Sequence, residues 1–173
     1  MQDQVSKRCD ESPGPIKGGE EIAYGLYSPE LFDPTSGRLT PEAIKLDDLR
    51  GAGGQHRDIC GDSTGVSVCR LLSEKAKDEL DGVLRQIVGR KPNRALEGYA
   101  KTRIADVWRI AEPMSGVRTL DVLDDGRPDY QSHAVIRAVS GLSRGALRGP
   151  KRDLIELFNQ GLVRSSRPGA RTE

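Results

Sequence analysis

The sequence has few cysteines, few aromatic residues and no long apolar run, and each shortage excludes a class of protein. Three cysteines in 173 residues are too few for a disulfide scaffold, and an odd number cannot all pair within the chain. No apolar segment approaches the roughly 18 residues of a membrane span, and the N-terminus has no apolar signal core. Aromatic residues make up only 4% of the chain, which argues against a surface that stacks nucleic-acid bases. We therefore expect a soluble, cytoplasmic protein.

Charge is nearly balanced over the chain but uneven along it. The 27 basic and 26 acidic residues leave a formal net charge of +1, so no strong overall field favours nucleic acid or membrane. Residues 1–60 hold seven basic and 11 acidic side chains, whereas residues 137–173 hold eight basic and three acidic. The C-terminal fifth therefore carries a local positive field. Such a field suits contact with phosphates or an acidic protein surface, and it also suits a merely solvated helix face.

Length and patterning predict one α+β domain. A chain of 173 residues matches a single domain of ordinary size. Polar composition with Pro and Gly predicts a disordered arm over 1–20 and a disordered basic tail over 163–173, which leaves one globular domain over 21–162. The periodicities predict a small mixed sheet of about three to five strands with three or four helices.

The clearest element is a helix that begins at Ser73 and ends near Gly89. Its apolar residues repeat at helical spacing, Ser73 is a typical N-cap, and Gly89 stands where a left-handed residue often ends a helix. Leu80 and Leu84 are expected in its buried face. The other predicted elements are strands at 22–28, 66–69 and 117–123, turns at 33–37 and 124–128, and helices at 41–49 (capped by Thr40), 133–139 and 151–162.

Residues 95–111 fit two periodicities. With a period of two, alternate residues form one face of a strand; with a period of 3.6, a different apolar set forms one face of a helix. We favour a strand over 98–110, because it could pair with the strand predicted at 117–123. The helix stays open as the alternative.

A glycine-rich loop over 51–57 (GAGGQHR) and the strand that follows it suggest nucleotide chemistry. The loop lacks the Lys–Ser/Thr pair of a phosphate-binding loop. Arg and His side chains can nevertheless hold the phosphates and ribose of NAD, as in mono-ADP-ribosyl transfer. The alternative function is therefore a small nucleotide-dependent enzyme, for example one that is ADP-ribosyltransferase-like. Its candidate residues are His56 and Arg57 from the loop, Ser67 and Arg70 from the strand, and His133 as a distant acid or base.

Two groups of residues could hold a metal, and both have simpler interpretations. A zinc site would draw on the two histidines and two of the cysteines, His56, Cys60, Cys69 and His133, but there is no C-x2-C pair. A divalent ion for phosphodiester chemistry would draw on Asp121, Asp124 and Asp125, with Glu97 and Lys101 nearby, but the DDG sequence is also an ordinary turn. We expect no metal and no cofactor; NAD or a divalent metal enters only with these alternatives.

The last group is a basic segment over 144–152. Arg144, Arg148, Lys151 and Arg152 would share one face of a helix, although Gly145 and Gly149 weaken that helix. No catalytic motif in the chain is complete. The sequence therefore favours a small intracellular binding or accessory domain that docks a protein or nucleic acid through this segment, without membrane contact. The nucleotide-dependent enzyme is the alternative.

Overall fold

The computed structural model describes residues 9, 11–51, 65–110, 118–139 and 142–165. Within these ranges the strands are β1 (Glu21–Ser28), β2 (Phe32–Asp33), β3 (Arg38–Leu39), β4 (Val66–Arg70), β5 (Ala95–Arg103), β6 (Leu120–Asp124), β7 (His133–Ala138) and β8 (Leu162–Arg164). The helices are α1 (Leu46–Arg50), α2 (Glu74–Gly89), α3 (Ile104–Trp108) and α4 (Arg148–Gln160). None of these four helices combines the length and the apolar composition that crossing a membrane requires.

Six strands form one sheet in the order β6-β7-β4-β1-β5-β8, and β2 and β3 form a separate hairpin. Every pair among these strands is antiparallel. The predicted α+β class and the number of helices are confirmed. The expected mixed sheet of three to five strands is wrong in pairing and in size, because two of the six strands lie in segments predicted to be a helix and a tail.

Strand β7 occupies the segment predicted to be the helix 133–139. All six of its residues are buried, and it lies between β4 and β6. A strand buried on both faces is a continuous apolar run, and periodicity alone cannot distinguish it from a buried helix. The expected pairing of 117–123 with 98–110 is also wrong, since β6 pairs with β7.

Residues 95–110, the described part of the segment with two periodicities, adopt both predicted conformations in succession. The strand β5 occupies Ala95–Arg103, and the helix α3 follows directly over Ile104–Trp108. The register between β1 and β5 shifts at the position of Glu97, the extra residue of a β-bulge. Gly98 beside it has φ of 116°, a value that L side chains rarely adopt. The strand over 98–110 is therefore correct only in its first half.

The two faces of the sheet are covered by different helices. Helix α2 covers one face, where the buried cluster comprises Ala23, Cys69, Ala76, Leu80, Leu84 and Tyr130. The other face carries the larger core, to which α1, α3 and α4 contribute. There Tyr24 of β1 stacks on Phe158 of α4 with ring centroids 5.2 Å apart. Leu80 and Leu84 are core residues, as predicted.

Two helix starts differ from the prediction. Thr40 does not cap a helix, because its hydroxyl donates to the Glu30 carbonyl at 2.7 Å, and α1 begins only at Leu46. Helix α4 begins at Arg148, three residues before the predicted start at Lys151. Its Pro150 lies in the first turn, where a missing N–H is tolerated.

The chain outside 21–162 also makes contacts with the sheet. Arg70 is 1% exposed, and its guanidinium donates to both carboxylate oxygens of Glu20 and to the carbonyls of Gly14 and Pro15. A buried guanidinium requires such partners, which composition does not reveal. At the other end, β8 pairs with β5. The division into one globular domain with disordered ends stays a prediction.

Candidate functional site

Part of the positive charge of the C-terminal region lies on one side of α4. Arg148, Lys151 and Arg152 lie in its first two turns, and Arg38 of β3 lies across a groove from them. We call these four side chains the α4 basic surface. Three of its members were predicted from the sequence. Arg38 joins them because the β2–β3 hairpin packs beside α4, with the Leu39 N–H donating to Asn159 Oδ1 at 2.8 Å.

The start of α4 departs from the rules that stabilise helices. Its N-cap is Leu147, which provides no side-chain hydrogen bond, and its first turn contains no acidic residue. Arg148 and Arg152 are four residues apart, a spacing at which like charges repel. Cations at a helix N-terminus also oppose the helix dipole. The local sequence thus concentrates positive charge where it is electrostatically unfavourable.

Neighbouring carboxylates neutralise only part of this charge. Arg38 pairs with Glu156 at 2.6 Å, and Arg152 pairs with Asp153 at 3.4 Å. The side chains of Arg148 and Lys151 have neither a hydrogen bond nor an ion pair with any residue in the described ranges. Two cations on this surface are therefore available to a partner.

The fourth predicted basic residue, Arg144, lies outside this surface. It pairs with Asp47 next to α1 at 3.2 Å, and both side chains are more than half exposed. An exposed pair of this kind contributes little to stability. Arg144 precedes α4 and does not line the groove beside it.

The α4 basic surface borders an open groove of about 480 Å³. Four apolar residues line it, from β3, the segment before α1, α1 and α4 in turn: Leu39, Pro41, Leu46 and Ile155. Leu46 and Ile155 are half-buried and pack against the main core. The groove thus combines an apolar floor with a rim that is mostly cationic.

A second, larger groove of about 880 Å³ is lined by residues of α2, such as Leu84, and by residues of the main core, such as Tyr24 and Val66. It is lined by Ser67 of β4 and His133 of β7, two of the residues predicted for an enzyme. Cys69 lies directly opposite His133, and Val135 lies opposite Ser67. Because alternate residues of a strand share a face, Ser67 and His133 are diagonal neighbours on the same face.

The imidazole of His133 is held by Asp125. His133 Nδ1 lies 2.8 Å from Asp125 Oδ2, and Arg127 donates to the same carboxylate oxygen at 2.7 Å. The Nδ1 contact with the carboxylate leaves Nε2 as the ring nitrogen without an Asp125 contact. The Tyr130 ring lies 5.1 Å from the imidazole. Asp125 therefore fixes the orientation of the imidazole beside the groove.

Arg70 does not join this group. Cys69 shares the face of His133, so the adjacent Arg70 points to the opposite face, where its partners are Glu20 and Asp124. The enzyme hypothesis would be favoured if Arg70 and His133 met in one cleft, but strand alternation places them on opposite faces of the sheet. His56 and Arg57 lie outside the described residues.

The predicted metal ligands do not form a cluster in the part of the chain that the structure describes. Cys69 and His133 are opposite each other, but His56 and Cys60 lie outside the described ranges. Burial raises the pKa of Cys69 to about 11, which disfavours the thiolate that metals bind. The three acids separate: Asp121 accepts from Trp108, Asp124 faces Arg70 and Asp125 faces His133.

Two features of these sites were not predicted from the sequence: the apolar half of the α4 groove and the ion pair of Asp125 with Arg127. The spacing of Asp125 and Arg127 in the turn could have indicated that pair. Leu39 and Ile155 are more than 100 residues apart, so no local signal connects them. No protein-family model matches the chain, and neither a curated protein nor a solved structure matches it.

Proposed function

We propose that this chain is a binding or accessory domain that docks an anionic macromolecule through the α4 basic surface. The observation that carries the proposal is that the Arg148 and Lys151 side chains have no ion pair in the described ranges, in a first turn of α4 that contains no acidic residue. Local rules are most often broken at functional sites, where a partner supplies the missing interaction. An anionic partner would supply the negative charge that the first turn of α4 lacks.

The test compares two variants that lose the same charge. Arg148→Gln with Lys151→Gln removes the two unpaired cations, whereas Lys75→Gln with Arg90→Gln removes two exposed cations at the ends of α2. Binding of fluorescein-labelled polyglutamate and of a labelled DNA duplex is measured over a range of salt concentrations. We expect the α4 variant to lose about tenfold in affinity, or about 1.4 kcal/mol, for the probe that binds.

The α2 variant should keep the affinity and the salt dependence of the unmodified protein. If DNA is the probe that binds, loss of two phosphate contacts should lower the log–log salt slope by about 1.8. Equal losses in the two variants would mean that only net charge matters, and the proposal would fail. Failure of both probes to bind the unmodified protein at low salt would also overturn it.

A second candidate function is the nucleotide-dependent enzyme. The observation that favours it is the large groove that Ser67 and His133 share, with Asp125 holding the imidazole. A groove of this size could accommodate NAD. Calorimetric titration with NAD tests the idea, with His133→Gln as the variant and Arg90→Gln as the control. Absence of heat at millimolar NAD, or equal binding by both variants, would remove this candidate.

We keep the expected cytoplasmic location as part of the proposal, although one observation opposes it. Cys9 is disulfide-bonded, whereas Cys69 is a free thiol. Structural disulfides persist mainly in oxidising compartments. Alkylating intact cells before lysis and counting modified cysteines by mass spectrometry decides the question: three alkylated cysteines support a reducing cytoplasm, and one alkylated cysteine contradicts it.

A further inference from the structure

We infer that the groove beside the α4 basic surface binds an acidic, amphipathic segment of a partner protein. The inference rests on the proposed function and names the class of partner. Cations on the groove's rim would pair with carboxylates, and the apolar floor would bury leucine-like side chains that lie on one side of the same segment.

The apolar floor is the observation that selects a protein over a nucleic acid. Leu46 and Ile155 are half-buried, and each offers aliphatic surface to the groove. A phosphate backbone has no aliphatic side chain to place against them. Nucleic-acid bases prefer aromatic platforms, and the lining of this groove contains no aromatic residue.

The charges around the groove lead to the same choice. Glu156 lies in the lining and Asp153 is beside it, so the cationic rim is interrupted by carboxylates. A continuous row of phosphates would be repelled at these points. A peptide can place glutamate or aspartate opposite Arg148 and Lys151, and a neutral or basic residue opposite Glu156. The pattern is therefore complementary to a partner whose charges are spaced.

The dimensions of α4 set the length of the segment. Helix α4 has 13 residues, which at 1.5 Å per residue is about 20 Å. The groove residues on α4 run from Arg148 through Ile155 to Asn159, near its full length. A helical partner segment of about 13 residues could lie along it, with apolar residues at helical spacing facing the floor.

The experiment uses the full chain and three labelled probes of matched length. The first is an amidated 13-residue peptide, matched to α4, with leucine at helical spacing on one face and glutamate at the other positions. The second is a glutamate-only peptide, and the third is a short DNA duplex. Fluorescence anisotropy at low and physiological salt measures each dissociation constant. We expect the amphipathic peptide to bind at least tenfold more tightly than either other probe.

Two sets of variants separate the apolar floor from the cationic rim. Ile155→Gln and, in a separate protein, Leu46→Gln should weaken the amphipathic peptide about fivefold or more and leave the glutamate-only peptide unchanged. Arg148→Gln with Lys151→Gln should weaken both peptides. Circular dichroism shows which floor variant is folded, and one folded floor variant is sufficient for the comparison.

The outcomes distinguish this inference from the function on which it rests. If both peptides bind equally and the floor variants change nothing, the basic surface binds anions but the apolar groove has no part in it. If the duplex binds most tightly, the partner is a nucleic acid, and the inference is overturned while the proposed function stands. If none of the three probes binds, both fail.

Discussion

Helices α2 and α4 have similar lengths and similar buried faces, but they begin in opposite ways. Ser73 caps α2, with its hydroxyl accepting from the Ala76 N–H at 3.3 Å, and Glu74 places a negative charge in the first turn. Leu147 gives α4 no side-chain cap, and its first turn is basic. Before α4, Ser143 Oγ accepts from the Ala146 N–H at 3.1 Å in the preceding turn. The two starts therefore differ mainly in charge, acidic in α2 and basic in α4.

This difference separates a structural helix from one that carries a candidate site. Both helices bury aliphatic residues against the sheet, so tertiary packing maintains both. Because packing does not depend on the cap, α4 can keep a poor electrostatic arrangement at its start. The charge left unpaired there is what the proposed partner would neutralise.

The largest expected effect on stability comes from the buried leucines that α2 and α4 both place against the sheet. Leu84→Ala in α2 and Leu154→Ala in α4 should each lower the free energy of unfolding by about 2–5 kcal/mol. Leu154→Ala should cost more, since Leu154 is fully buried whereas Leu84 borders the large groove and its surroundings can relax. Urea denaturation followed by circular dichroism measures both. A cost near zero for Leu154→Ala would mean that packing does not hold α4.

The next effect concerns how the helices end. A Cβ on Gly161 would overlap the Lys101 carbonyl, so Gly161→Ala should destabilise the protein by about 1–3 kcal/mol. Gly89 is the last residue of α2 and has open space around its Cα, so Gly89→Ala should stabilise by about 0.5–1 kcal/mol. The expected left-handed conformation at Gly89 is wrong, since the chain continues helically into Arg90. Thermal melting should show shifts of opposite sign.

The cap of α2 gives a smaller effect. Ser73→Ala removes the hydrogen bond to the Ala76 N–H and should cost about 1 kcal/mol. The matched change at α4 is Leu147→Ser, which introduces a hydroxyl at the N-cap. Because Leu147 is fully buried, the lost packing should outweigh any new hydrogen bond and lower the free energy of unfolding. If Ser73→Ala has no effect on urea denaturation, the contrast between the two helix starts loses its energetic basis.

A still smaller effect is a mutation at the start of α4 that should stabilise the fold, whereas most mutations destabilise. Arg148→Glu places an acid at the start of α4, four residues before Arg152, and should stabilise the fold by about 0.5–1 kcal/mol. The same change should abolish binding of the glutamate-rich peptides. Thermal melting and anisotropy on one protein sample measure the two quantities. Stabilisation without loss of binding would contradict the assignment of Arg148 to the partner site.

The smallest expected effect is a loss of stability at alkaline pH, and it is absent at neutral pH. Burial raises the pKa of Cys69 under α2 to about 11, and burial also raises the pKa of Tyr24 under α4. In each case the folded state holds its proton more tightly than the unfolded chain. The fold therefore keeps its full stability below the unfolded pKa and loses stability as the pH rises from that value towards the folded pKa.

The thiol titrates first in the unfolded chain, because the ordinary pKa of a cysteine is 9.0, compared with 10.0 for a tyrosine. Raising the pH from about 8 to 10 should therefore lower the free energy of unfolding more in the unmodified protein than in Cys69→Ala. Urea denaturation at the two pH values measures this difference. An identical loss in both proteins would show that the buried thiol does not contribute.

Local sequence determined the elements whose stabilising groups are near in the chain. Helix α2 could be predicted because its cap and its apolar face lie within 16 residues, and β1 because it alternates over eight. The basic residues of α4 were visible for the same reason. Periodicity also indicated the α+β class. The number of helices agrees because α3 adds one where the helix predicted at 133–139 is a strand.

Tertiary structure decided everything that depends on partners distant in sequence. Strand β7 is a strand because β4 and β6 lie on either side of it, and its apolar run alone is equally compatible with a helix. Strand alternation placed Arg70 and His133 on opposite faces, although their residue types suit one cleft. The apolar floor of the α4 groove exists only because Leu39 and Ile155 meet in the fold, since burial and contact depend on the packed chain and not on residue order.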